Sequence, residues 1–224
     1  MSTLLLLKIT LGPIMVALAY FLGRTKGHGI GGRLIGLPIT TGPFILIVSL
    51  QEGSSFGKAA AHGVILGQIA LASYCWIYTY ISPKMHWLPA LLVATISVLT
   101  VGFVTTESTL STTQALVILT LLWLLEMRFW PNVSLNKIFT ENPPWELPAR
   151  IIVTLVIFIG LSALAPHLGA KISGALSTYP VIASVIAAFN HKRYGPQATM
   201  ATLRGLMESF PLTIVFIALL AYLL

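Results

Sequence analysis

The sequence predicts an all-α fold: a polytopic transmembrane helix bundle of about eight spans, with inverted three-helix repeats whose second helices are interrupted by Pro and Gly. Three observations predict it. Hydrophobic residues make up 56% of the 224-residue chain and charged residues only 8%, with a mean hydropathy of +0.90, whereas a soluble domain carries about 25% charged residues. Long apolar runs recur along the chain, each near the roughly 20 residues a helix needs to cross the hydrocarbon core. A Gly/Pro-rich stretch from Gly31 to Pro43 recurs from Gly169 to Pro180, each time opening an apolar run that is followed by a long one.

Lipid offers no partner to a backbone N–H or C=O, so each apolar run is read as a helix. The first covers residues 3–23. Lys8 interrupts its middle and no small-x-small cleavage site precedes Arg24 and Lys26, so it reads as a retained helix rather than a signal peptide. The second, 33–51, contains Pro38 and Pro43, and the third covers 57–81. The fourth, 88–105, is short and rich in Thr and Val, with Glu107 just beyond it; without it every later span would reverse direction. The fifth, 110–130, follows the polar turn Thr105–Thr113, whose hydroxyls can cap it. Residues 131–147 form a polar loop in which Pro131, Pro143 and Pro144, with Pro148 beyond, exclude a continuous helix, and Trp130 and Trp145 suit the membrane interface. The last three runs are 148–166, 171–190 and 198–223. The chain thus divides into a first membrane half, 1–130, made of a repeat over about 3–82 plus two extra helices, the loop 131–147, and a second half, 148–224.

Basic residues set the orientation, because Lys/Arg-rich loops stay in the cytoplasm. Odd-numbered connections carry Arg24, Lys26, Arg33, Lys84, Arg128, Lys137, Arg150, Lys192 and Arg193; even-numbered ones carry Lys58 and Lys171. Both termini are therefore expected on the outer, periplasmic side. The net charge of +7 is a topology signal and calls for no nucleic-acid partner. The single Cys75 lies in an apolar run and forms no disulfide framework.

Pairing Gly36 with Gly174 also pairs Gly31 with Gly169, Thr40 with Thr178, Phe56 with Tyr194, Gly57 with Gly195, Ala60 with Ala198 and Gly67 with Gly205. A one-residue shift brings Pro43 over Pro180. Matching helices would be five crossings apart, an odd number, so they would cross in opposite directions. The charge bias agrees: the first half is basic between its first and second helices, the second half between its second and third, at His191-Lys192-Arg193. Two unrelated Gly/Pro-containing helices in an ordinary bundle are the competing explanation.

The second half carries Ile172-Ser-Gly-Ala-Leu-Ser-Thr-Tyr-Pro180, then Val181-Ile-Ala, a polar turn ending Tyr194-Gly195-Pro196, and Phe210-Pro211 entering the final apolar run. In these features it resembles the small GlpM-type inner-membrane proteins. The resemblance covers about residues 148–224 and, more weakly, 10–82, where Gly42-Pro43 replaces the aromatic-Pro pair. It implies a bacterial inner-membrane protein of doubled length, loosely associated with envelope polysaccharide production.

In transporters built from inverted repeats, solute and ion sites lie near the midplane, on broken helices. Gly36, Pro38 and Pro43 in one half, and Gly174 and Pro180 in the other, are the expected breaks. Thr40, Thr41, Ser177, Thr178 and Tyr179 beside them offer hydroxyls to a small polar solute or ion. Helix packing by the same small and hydroxylated residues is the simpler use. Intramembrane polar residues add His62, suited to a bond across helices, and Arg204 with Glu208, four apart on one face and suited to an ion pair. No nucleotide loop, metal spacing or nucleophile elbow is present, so no catalytic residue, cofactor or metal is expected. The expected function is a small-solute or ion permease in the bilayer, with a homo-oligomer as its expected protein partner; the alternative is a non-transporting scaffold or accessory protein of envelope polysaccharide synthesis.

Overall fold

The computed structural model describes residues 3–133, 143–164, 167, 176 and 178–224, and every regular element among them is a helix. In chain order these are α1 (Thr3–Thr25), α2 (His28–Gly36), α3 (Thr41–Glu52), α4 (Ser54–Ile81), α5 (Trp87–Glu107), α6 (Thr112–Phe129), α7 (Glu146–Leu164), α8 (Val181–Tyr194) and α9 (Pro196–Leu223). Among the described residues six runs are long and apolar enough to cross a membrane: α2 with α3 from His28 to Glu52, then α4, α5, α6, α7 and α9. α1 contributes a shorter apolar helix, Ile9–Thr25, and α8 has 14 residues. Of the eight expected spans, six therefore meet the length and composition requirement, the short fourth one, α5, among them, and the seventh, 171–190, lies partly outside the described residues.

Local chemistry explains the boundaries. α2 stops at Gly36 because Pro38 has no N–H for the helical ladder and holds Leu37 extended, at φ −72° and ψ 150°. Pro43, expected as a second break, instead sits in the first turn of α3, where a backbone N–H has no helical partner to lose. Pro148 likewise lies in the first turn of α7, so the helix begins at Glu146 rather than after the Pro-rich loop. Ser111 caps α6 through a reciprocal pair of bonds with Gln114.

Three glycines turn the chain between helices. Gly27 precedes α2 at φ 105° and ψ 151°, Gly53 joins α3 to α4 at φ 94° and ψ 163°, and Gly195 joins α8 to α9 at φ 82° and ψ 177°. This region is essentially closed to residues with a Cβ. Gly57, the residue paired with Gly195 from sequence, lies inside α4 against Ser49. Counted from the corners, Pro38 precedes Gly53 by the same interval as Pro180 precedes Gly195, and α4 and α9 each run for 28 residues. The boundaries thus coincide at a spacing of 142 residues, from Gly53 to Gly195, one helical turn away from the Gly36/Gly174 pairing. At that spacing Gly27, Ile30, Gly32, Leu34 and Pro38 fall on Gly169, Ile172, Gly174, Leu176 and Pro180.

Side-chain neighbours fix the helix directions. Tyr20 lies by Arg150 and Gly12 by Phe158, so α1 and α7 are antiparallel. Gly57 lies by Leu224, so α4 and α9 are antiparallel too. The broken pair α2–α3 runs parallel to α9, with Gly32, Gly36 and Gly42 beside Thr202, Leu206 and Phe216. α4 and α9 supply much of the buried core, and α5 and α6 pack on α4. Leu92 and Ile96 of α5, Leu121 and Leu125 of α6, and Ile152 and Val156 of α7 point outward, as a lipid-facing surface requires.

α2 is rich in glycine, a poor helix former in water. Packing is the reason it is helical here. Gly29, Gly32 and Gly36 share one face, and a Cβ at Gly32 or Gly36 would run into the α9 main chain; a Cβ at Gly205 would meet Gly29. Small residues that let two backbones touch are a principal means of helix association in membranes.

Candidate functional site

The two breaks sit in comparable surroundings. In the first, Gly36 ends α2 against Leu206 and Ser209 of α9. The carbonyls freed by Pro38 find hydroxyls there: Thr213 donates to Gly36 O at 2.5 Å and Ser209 to Arg33 O at 2.8 Å. Thr40 precedes α3 and accepts the Phe44 N–H at its carbonyl, 3.4 Å away. Thr41 is half-buried, and its hydroxyl has no hydrogen-bond partner among the described residues. In the second break, Pro180 precedes α8 and accepts the Ser184 N–H at 2.8 Å. Thr178 lies against Gly67 of α4, and Tyr179 packs on the main core. Ser177 and Gly174 lie outside the described residues. Each break therefore rests on a long helix, the first on α9 and the second on α4.

Arg204 and Glu208 do pair, at 3.2 Å. Glu208 also binds Arg33 of α2, at 2.7 Å, so one carboxylate ties two arginines on the outside of the α2–α9 contact. His62 bonds across helices, its Nδ1 lying 3.1 Å from the Thr112 hydroxyl.

The most elaborate polar cluster lies elsewhere, where α1, α2, α7, α8 and α9 converge. Glu146 and Arg150 are four apart at the start of α7, hence on one face. Both are 1% exposed and their side chains meet at 2.6 Å. Arg150 Nη2 also donates to Asn190 Oδ1 of α8 at 3.0 Å. Asn190 Nδ2 in turn donates to Thr202 Oγ1 of α9 at 2.8 Å, across the Gly195 corner. Tyr194 donates to the Glu146 carboxylate at 3.3 Å, and Arg193 approaches it at 3.8 Å.

The guanidinium of Arg150 is stacked between Tyr20 and Phe189, 5.1 Å from each ring centroid, in the manner of a cation–π sandwich. Its Nε and Nη1 have no hydrogen-bond partner among the described residues. Arg150 is one wall of a cavity of about 10 Å³ that is also lined by Tyr20, Arg24, His28, Asn190 and Tyr194. That is room for one water-sized occupant.

Another buried acidic side chain, Glu126, lies near the end of α6. It is 1% exposed, and neither carboxylate oxygen has a partner among the described residues. Among the described residues no three His, Cys, Asp or Glu side chains come together to hold a metal.

Sequence reasoning assigned Arg150 to a basic loop and Glu146 to the loop 131–147. The signal that could have found them is the Glu-x-x-x-Arg spacing at the mouth of an apolar run. For Glu126 it is a lone carboxylate within the run 110–130, since a charge at that depth is costly and is retained for a reason. No family model matches this chain, nor does any curated protein or solved structure.

Proposed function

We propose that this chain is a multi-pass permease for a small polar solute or ion, built from two halves of opposite orientation in a bacterial inner membrane. One observation carries the proposal: α1 runs antiparallel to α7, and α4 to α9, with breaks and glycine corners at the same 142-residue spacing. Individual contacts follow the same rule. Gly36 abuts Ser209 and Gly67 abuts Thr178, and each member of the first pair lies 142 residues from a member of the second. Such correspondence supports an inverted repeat with α5 and α6 added between the copies, and the sequence resemblance makes the repeated unit GlpM-type. In this arrangement α1 and the run ending in α8 complete eight crossings, and both termini face the periplasm.

Inverted repeats serve transport because two similar halves of opposite orientation can exchange conformations, exposing a fixed site alternately to each side. α2 has nine residues, so at 1.5 Å per residue its end lies about 13 Å from the Gly27 corner, near half the ~30 Å hydrocarbon thickness. The Thr40, Thr41, Thr178 and Tyr179 hydroxyls beside the two breaks line the proposed path.

The test is solute flux into proteoliposomes containing the purified protein, compared with a Thr40→Val/Thr178→Val variant. Uptake that falls in the double variant supports the assignment. Uptake unchanged by both substitutions removes these residues from the path, and absence of flux across a panel of small anions, cations, amino acids and sugars favours the scaffold alternative.

A further inference from the structure

We infer that Glu126 is a proton-binding site, its carboxyl held as the neutral acid where α6 packs on α4. The sequence of α6 sets the problem. Its fully buried positions are Ala115, Leu119 and Glu126, which share one face of the helix. A carboxyl thus stands where that face otherwise carries apolar groups. Glu126 is 1% exposed, and neither of its oxygens has a hydrogen-bond partner among the described residues.

Contacts on either side of it fix the surroundings. His62 of α4 lies 3.1 Å from the Thr112 hydroxyl, and Tyr80 donates to Phe129 O at 2.5 Å, so α4 and α6 run side by side and parallel. Between these two contacts Cys75 of α4 lies within electrostatic reach of Glu126. Trp123, less than a turn before Glu126, donates to Met207 O of α9 at 2.8 Å. No cation comes from either neighbour. Lys58 and His62 sit near the opposite end of α4, and Tyr78 meets His191 instead. On α9, Arg204 pairs with Glu208, which turns to Arg33 of α2. Arg128 of α6 itself is exposed, over the Phe129 ring. The buried polar atoms of Tyr74, Thr79 and Trp130 are unpaired too, but none of these side chains carries a positive charge.

Charge decides what the site takes. A water can fill a lone pair yet leaves the charge in place, and burying an ionised carboxylate costs far more than burying the neutral acid. The group therefore needs a positive charge. A metal ion takes several oxygen ligands at once, and among the described residues no three His, Cys, Asp or Glu side chains gather. A proton needs one lone pair and no space. Glu126 lies three residues before the end of α6 at Phe129, about 5 Å along the axis, so the proton has a short way to the aqueous end of the helix. Ionising the carboxyl requires water between α4 and α6, which ties proton release to the opening of that contact. α6 touches α4 and α9, the long helices on which the two breaks rest, so a shift of one against the other reaches Glu126.

The proton site stands on its own geometry; that the proton is also the coupling ion of transport rests on the permease proposal. Infrared spectroscopy of the purified full-length protein in detergent tests the site, because the C=O stretch of a neutral carboxyl stands apart from the carboxylate bands. At neutral pH the wild type is expected to show a neutral-carboxyl band that Glu126→Gln lacks. Raising the pH is expected to remove the wild-type band reversibly, a measurement that depends on no variant. A wild type without the band at neutral pH has an ionised Glu126 and overturns the inference. So does a band that survives in Glu126→Gln, since it belongs to another carboxyl. Coupling is read in proteoliposomes, where a pH gradient should drive solute uptake by the wild type and not by Glu126→Gln. The band together with flux indifferent to the gradient keeps the proton site and removes the coupling, and the band without any flux keeps the site and removes the permease. Gradient-driven flux without the band removes the site and keeps the permease.

Discussion

The Arg150 guanidinium and the Glu146 carboxylate meet at 2.6 Å with both side chains 1% exposed. A buried pair like this is costly to break, because the survivor is left charged and desolvated. Arg150→Met alone is therefore expected to lower stability by about 3–5 kcal/mol, and Glu146→Gln alone by less, since Asn190 still accepts from Arg150. The double change should recover much of the loss. Thermal unfolding in detergent across the four combinations measures the coupling, and costs that simply add would show that the two charges stand independently.

Gly205 and Gly63 occupy corresponding positions at the 142-residue spacing, yet their surroundings differ. A Cβ at Gly205 meets the main chain of Gly29, whereas at Gly63 nothing lies within 4 Å. Gly205→Ala should cost about 1–3 kcal/mol, as overpacking does, while Gly63→Ala should be neutral or stabilising through the better helix propensity of alanine. Equal effects, read by fluorescence-detected thermal unfolding, would mean that α2 and α9 do not pack backbone to backbone.

Gly53→Ala and Gly195→Ala probe the corners. Neither glycine has an atom within 4 Å of a new Cβ, so their cost is backbone strain alone, on the order of 1–3 kcal/mol each. Similar losses at the two sites support their equivalence. At Gly57, by contrast, an alanine meets the Ser49 side chain, with a negative-φ helical backbone, and the penalty depends on whether Ser49 yields.

These corners also show what sequence could and could not reveal. Apolar runs located α1, α4, α5, α6, α7 and α9 to within three residues at each end, because the need to satisfy backbone groups in lipid is written directly in composition, whereas the second run, 33–51, starts five residues after α2 does and the seventh, 171–190, ends four residues before α8 does. The Arg204–Glu208 pair was legible for a similar reason, since helical spacing alone puts the two on one face. The repeat register was not. Which of Gly53 and Gly57 turns the chain depends on a positive φ, and a glycine letter is the same in a corner as in a close helix contact. Pro43 and Pro148 look like breakers beside Pro38 and Pro180, yet the first turn of a helix accepts proline freely. Misplacing the start of α7 by two residues put Glu146 in a loop and hid its partnership with Arg150. Asn190 and Tyr20, from other elements, complete the cluster only through tertiary packing, which no local pattern records.

Glu126 is a burden on the fold, buried with two unmade acceptors among the described residues. Replacing it with methionine, of similar length, removes an unmet polar group whose cost is about 1–3 kcal/mol. Glu126→Met is expected to raise the unfolding temperature. A fall instead would mean that the carboxylate holds a partner, and combining the variant with the flux assay separates a stabilising change from loss of a transported or coupling ion.

Orientation can be read with a single thiol. Cys75 is fully buried in α4, so it should resist membrane-impermeant maleimide, and a Cys75→Ser background gives a clean baseline. The basic connections predict that Lys84, between α4 and α5, lies in the cytoplasm. With α5 long enough to cross, the proposed orientation puts Thr109, between α5 and α6, on the periplasmic side. In intact cells Thr109→Cys should be labelled and Lys84→Cys protected until the membrane is opened. Asn132→Cys, beyond α6, should behave like Lys84→Cys, since in the proposed orientation α6 returns the chain to the cytoplasm. Labelling of Lys84→Cys and Thr109→Cys from the same side would mean that α5 does not cross. Every helix after it would then reverse, α1 and α7 would share one face of entry, and the inverted arrangement on which the permease proposal rests would be lost.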